Sequence, residues 1–166
     1  MPERMMPIFV TRPARLIGLV LAVVSASGAL QAAGIDELAG RWSGWGALRL
    51  SNGVIEQVKC VATYFVKDSG TSLDQNLRCA SASYKIDAKA NYTVEAGVVR
   101  GSWEERTQSA RGIVAGSVVD NLFKLTVEGD GFTANMTMSS TNCKQSISIT
   151  PRGLEVDSLS IGLEKC

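Results

Sequence analysis

The sequence contains no histidine. That removes the usual metal ligand, the usual general base near neutral pH, and every catalytic triad that needs an imidazole. There is no C-x-x-C pair, which argues against a thiol-redox or zinc-ribbon role. Neither sign of charge predominates: 17 basic residues stand against 16 acidic ones. A nucleic-acid surface is therefore not expected, and nothing draws the chain to anionic membranes. No stretch has a convincing helical period, so no glycine-rich phosphate loop opens a helix. On these absences no cofactor, no metal and no catalytic residue are expected, and the chain reads as a non-enzyme.

The uninterrupted apolar run Leu16 to Val24 has nine residues. This is short of the roughly twenty needed to span a bilayer as a helix. It is preceded by Arg4, Arg12 and Arg15 and followed by small residues, which is the pattern of an export signal. Ser27-Gly28-Ala29 is the best match to a cleavage site, with Ala32 and Ala33 as alternatives. The start of this region is long, and Met5 and Met6 are alternative first residues. The reading is a signal peptide over 1–32, cleaved near Ala29 to Ala33, and a single all-β domain over 33–166. No membrane span is expected after cleavage, and the location is periplasmic or secreted. Removing Arg4, Arg12, Arg15 and Glu3 leaves 14 basic and 15 acidic residues.

What remains is roughly 135 residues, enough for one domain with a sizeable core. All four cysteines, Cys60, Cys79, Cys143 and Cys166, lie beyond the signal. An even count in an exported chain points to two disulfides. Short alternating stretches with turn signals between them run the length of the domain. They predict strands over 40–50, 54–67, 72–80, 83–94, 98–106, 112–118, 122–128, 132–139, 143–150 and 154–163. The class is all-β: an antiparallel barrel or a sandwich of eight to ten short strands.

Two registers follow from the turns. A two-residue loop at Asn52-Gly53 pairs residues whose numbers sum to 105, so Arg49 meets Glu56 and Trp45 meets Cys60. A turn centred on Ser69-Gly70 pairs residues summing to 139, so Cys60 meets Cys79. The bonding parity of the shared strand then demands a four-residue loop at Asp68 to Thr71, or a bulge. With that loop Cys60 and Cys79 form a non-hydrogen-bonded pair with Cα atoms about 4.5 Å apart, which a disulfide accepts. Cys143 then pairs with Cys166, although a turn centred on Arg152 would set Cys143 opposite Ile161. The same pairings put Trp45, Ala47, Val58, Cys60, Ala62, Tyr64, Val66, Leu73, Leu77 and Cys79 on the core face. Lys59, Lys67, Asp74, Asn76 and Arg78 take the other face. Trp42 then points outward, unless a bulge at Gly44 turns it in.

Gly40-Arg41-Trp42 at the start of the first strand resembles the G-x-W opening of lipocalins and other calycins. The resemblance covers three residues and implies a barrel that holds a small apolar ligand. More broadly the chain resembles small exported β-proteins of Gram-negative bacteria, which implies location more than function. Trp42, Trp45, Tyr64 and Trp103 are the candidate ligand-binding residues. The adjacent carboxylates Glu104 and Glu105 point to opposite faces of a regular strand and read as a solvated strand end. The expected function is an exported non-catalytic barrel that binds a small apolar ligand or an envelope component. The alternative is a structural or inhibitor-like interaction domain of the envelope.

Overall fold

The computed structural model describes residues 35–166. The expected export signal lies outside the described residues. Ten antiparallel strands form one closed barrel, which decides between barrel and sandwich. They are β1 (Gly40–Leu50), β2 (Ile55–Lys67), β3 (Ser72–Ala80), β4 (Lys85–Glu95), β5 (Val98–Glu105), β6 (Ala110–Val119), β7 (Leu122–Gly129), β8 (Phe132–Thr141), β9 (Lys144–Arg152) and β10 (Val156–Glu164). Each strand pairs with its neighbours in sequence, and β1 pairs with both β2 and β10. An even number of strands lets this up-and-down meander close with every pair antiparallel, so no edge remains exposed.

The first hairpin departs from the expected register by one residue. Residue numbers sum to 104: Gly44 meets Cys60, Trp45 meets Lys59 and Arg49 meets Ile55. The loop has three residues, Ser51-Asn52-Gly53, not two. Gly53 N–H donates to the Leu50 carbonyl, and Leu50 N–H to the Val54 carbonyl. Gly53 takes φ 85°, and the Asn52 side chain accepts from Val54 N–H at 3.0 Å. This is a tight turn followed by a left-handed glycine, the usual three-residue hairpin.

A slip of one residue exchanges the faces of the whole strand. Trp42 is fully buried, while Trp45 is 54% exposed and Ala47 faces solvent. The expected core placement of Trp45 and Ala47 is thereby corrected. No bulge forms at Gly44; the irregularity lies between Arg49 and Leu50, against β10. Glu56 has no Arg49 opposite it and accepts instead from the Ser81 and Ser83 hydroxyls.

The second hairpin has the expected register. Lys67 meets Ser72 across the loop Asp68 to Thr71, and Cys60 meets Cys79. Their Cα atoms are 4.1 Å apart and the two are joined as a disulfide. The last hairpin differs: its turn is Gly153 to Glu155, four units further along in register sum than a turn on Arg152 allows. Cys143 therefore lies beside Lys165, whose N–H donates to the Cys143 carbonyl. That brings Cys166 within a Cα distance of 5.4 Å, and these two are joined as well. Pro151 stays inside β9 because β10 stops pairing with β9 at Ile149–Leu159, so its missing N–H breaks no ladder bond.

The two ends of the barrel differ. One end carries the β2–β3, β4–β5, β6–β7 and β8–β9 turns. It is closed by a short 3₁₀ turn, Ile35–Leu38, whose Ile35 and Leu38 are buried. Trp42 anchors this plug: its Nε1–H donates to the Leu38 carbonyl at 2.7 Å. The Lys165 ammonium lies 4.8 Å from the Trp42 ring centroid and donates to the Glu37 and Ala39 carbonyls. Asn121 donates to the Glu37 carboxylate. The other end has no such plug among the described residues.

Candidate ligand cavity

The inward positions are unevenly filled. Toward the plugged end they carry Trp42, Leu73, Val99, Val118, Phe123, Met138, Ile147 and Leu163, all buried. Toward the other end they carry Ala88, Ala90, Ala110, Gly112 and Ala134. Small side chains leave a cavity of about 450 Å³, open at that end. Its walls are mostly apolar, with Leu77, Ile86, Val114, Val127, Met136, Ile149 and Leu159 among them. This size and character suit a small organic ligand.

Trp103 and Phe132 shape one wall. Trp103 pairs with Gly112, Gly112 with Gly129, and Gly129 with Phe132. The two rings lie over the two glycines and meet edge to face, with centroids 5.4 Å apart. A Cβ on Gly112 would come within 2.9 Å of Trp103 Nε1, and one on Gly129 within 2.8 Å of the Trp103 ring. The indole N–H donates to the Glu128 carbonyl at 3.0 Å, which fixes the ring's orientation.

Below the cavity, five side chains from five strands form a chain of hydrogen bonds across the lumen. Tyr92 hydroxyl donates to Gln75 Oε1 (2.6 Å), and Gln75 Nε2 donates to the Tyr64 oxygen (3.2 Å). Tyr64 hydroxyl donates to Gln145 Oε1 (2.9 Å), and Gln145 Nε2 donates to Ser140 Oγ (3.1 Å). All five are buried. Burial raises the Tyr64 phenol pKa, the neighbouring Tyr92 adds to the rise, and hydrogen bonds with Gln145 and Gln75 offset only part of it. Burial alone raises that of Tyr92. The floor is therefore neutral. Gln75 and Tyr92 border the cavity directly.

The four aromatic residues singled out from the sequence go to different places. Trp103 lines the cavity. Tyr64 lies in the polar layer beneath it. Trp42 belongs to the plug at the opposite end. Trp45 is on the outer surface, where Lys59 lies 5.7 Å from its ring centroid. Gln75, Tyr92 and Phe132 were not singled out. Gln75 carried a signal, since it occupies an inward slot between Leu73 and Leu77.

Charged groups gather at the mouth. Glu105 is the last residue of β5 and accepts from the backbone N–H of Asp87 (2.8 Å) and Gln108 (2.6 Å) and from the Thr107 hydroxyl (2.7 Å). Partial burial would raise its pKa, but these donors together hold it below the usual carboxylate value. Glu104 faces the other way and is exposed, so the two carboxylates share no site. Among the described residues no three potential metal-ligating side chains cluster. No helix there is long and apolar enough to cross a membrane.

No protein-family model matches the chain. No curated protein matches it either. Among solved structures the chain is similar to an S-type phycobiliprotein lyase from Guillardia theta. The TM-score is 0.58 at 11% identity, over 80% of this chain and 90% of that one. The likeness is one of fold alone. It also corrects the expectation of a non-enzyme. A protein named as a lyase is built on a barrel of this kind. Lack of histidine and of a shared carboxylate pair therefore does not place this chain outside the enzymes. Resemblance to exported proteins of Gram-negative bacteria gains no support from the comparisons.

Proposed function

We propose that this chain is an extracytoplasmic barrel that takes one small apolar molecule into its lumen through the unplugged end. The observation that carries the reading is the apolar cavity of about 450 Å³ above a neutral floor whose buried side-chain nitrogens and oxygens each have at least one hydrogen-bond partner. Likeness to a phycobiliprotein lyase is one of fold and agrees with a closed barrel as the scaffold. Two disulfides suit an oxidising compartment, and the export signal read over 1–32 supplies the route there. Trp103 and Phe132 serve as the rigid aromatic wall against which the ligand packs. The test is native mass spectrometry of protein purified from its own host. One small-molecule adduct per chain, lost on denaturation, is expected. A bare chain that also fails to take up an apolar dye would overturn the reading.

A second reading, docking on an envelope component, is favoured by one feature. Trp45 borders a shallow groove over Gly44 and Gly162 on the outside of β1 and β10. Half of this tryptophan is exposed, which is unusual for so large an apolar side chain. Trp45→Ala would abolish co-purification of such a partner while leaving ligand retention intact.

A further inference from the structure

The floor of the cavity has spare hydrogen-bonding capacity of one particular kind. A primary amide nitrogen carries two hydrogens. Gln75 Nε2 gives one to Tyr64, and among the described residues its other hydrogen has no partner. Tyr92 donates its only proton to Gln75 and keeps lone pairs. Gln75 is 4% exposed, and both residues border the cavity. The floor thus offers one N–H donor and one phenol oxygen, both buried and both neutral.

Charge is kept away from this point. Lys85 is the first residue of β4 and Glu105 the last of β5, so both stand at the mouth. Lys89 and Glu155 also border the cavity, but both are exposed, Lys89 at an outward position of β4 and Glu155 in the turn before β10. An ionised carboxylate at the floor would meet no cation and would be a buried, uncompensated charge. An ammonium would meet no anion. A hydrocarbon end would leave the Gln75 N–H unsatisfied. A neutral oxygen satisfies it.

We infer that the preferred ligand is an apolar chain or ring led by a single neutral oxygen, a ketone or alcohol, which accepts from the second N–H of Gln75 at the bottom of the lumen. This rests on the ligand-binding reading above and narrows it to a chemical class. Fatty carboxylates bind less well, or bind with the head left at the mouth.

The experiment uses the full oxidised chain at pH 8 and displacement of a bound apolar dye. The probes are dodecanol, the matching methyl ketone and dodecanoate. The ketone and alcohol should bind at least about tenfold tighter than dodecanoate. Gln75→Leu should weaken the ketone about tenfold, a change of about 1.4 kcal/mol, in the range for one buried acceptor, the ketone oxygen, left unpaired. Because Gln75 itself borders the cavity, the readout is selectivity: in this variant the ketone should lose about tenfold more than dodecanoate does. Infrared spectroscopy of the ketone on the unmutated protein needs no variant: its carbonyl stretch should lie below that in hydrocarbon solvent. Dodecanoate binding as tightly as the ketone, or a carbonyl stretch matching hydrocarbon solvent, would overturn the inference. A ketone affinity unmoved in a folded Gln75→Leu would do the same. Failure of the dye itself to bind would overturn the parent reading and this one with it.

Discussion

Raising the pH above that of a free phenol should unfold this barrel through its own floor. Tyr64 and Tyr92 are 1% and 4% exposed, and burial is the main cause that raises both pKa values from 10.0. A group whose pKa is raised on folding gives stability that is complete below its unfolded value and is lost as pH rises toward the folded one. Between those values each tyrosine withdraws about 1.4 kcal/mol per pH unit. One unit above the free phenol, the pair costs about 3 kcal/mol, a large share of the roughly 5–15 kcal/mol that holds a typical domain together. Urea unfolding followed by circular dichroism from pH 8 to pH 11 measures this directly. Stability should be level to about pH 9.5 and then fall steeply. Tyr64→Phe should halve the alkaline slope. It should also cost about 2 kcal/mol or more at pH 8, because it leaves Gln75 Nε2 and Gln145 Oε1 without their shared partner. Tyr92→Phe should also halve the slope at a smaller cost, since only Gln75 Oε1 loses a donor. Unfolding free energy that stays flat up to pH 11, or a slope unchanged in both variants, would refute the reasoning.

Trp42→Ala should cost about 3–5 kcal/mol by emptying the plugged end, whereas Trp45→Ala on the outer wall should stay within about 0.5 kcal/mol; chemical denaturation of the two variants separates them. Cys60→Ala with Cys79→Ala should lower stability by about 3 kcal/mol through the loop it opens, and peptide mapping of the oxidised chain should yield Cys60–Cys79 and Cys143–Cys166 peptides only. Acid unfolding should begin only below about pH 4. The reason is that hydrogen bonding by Arg106, helped by Arg78, lowers the Asp87 pKa, and hydrogen bonds from Lys67 and Asn91 lower that of Asp74. Their contribution is present above the unfolded pKa and is lost as pH falls through the lowered folded values. Arg106→Gln should therefore move the acid midpoint upward, and a midpoint that does not move would show the pair to be without effect.

Strand positions were legible because each strand of a barrel with a wet outer wall alternates apolar and polar residues. The Cys60–Cys79 pair was legible for a related reason: Asp68 to Thr71 fixes a loop length, and loop length fixes register. Ser51-Asn52-Gly53 misled because Asn-Gly suits a two-residue turn and also the end of a three-residue one. One residue of difference moved Trp45 from the core to the surface and put Trp42 inside. The last hairpin failed similarly, since Pro151 looks like a turn residue when its place in the closed ladder is not known.

The cavity was not legible. Ala88, Ala90, Ala110 and Ala134 are unremarkable one at a time. They leave a space only because closure gathers them at the same end, away from the bulky residues of the other. The floor was half legible. Gln75 and Gln145 each interrupt an apolar inward face, yet nothing in their spacing shows that Tyr64 bridges them across the lumen.

Whether the lumen accepts an apolar molecule can be measured most directly by titrating the oxidised chain with an apolar dye while following energy transfer from tryptophan. Trp103 lines the cavity, whereas Trp42 is sealed in the plug and Trp45 lies outside. Saturable uptake of one dye per chain, with transfer that drops sharply in Trp103→Phe but not in Trp45→Phe, is the expected result. No saturable uptake, or transfer carried by Trp45 alone, would contradict the account.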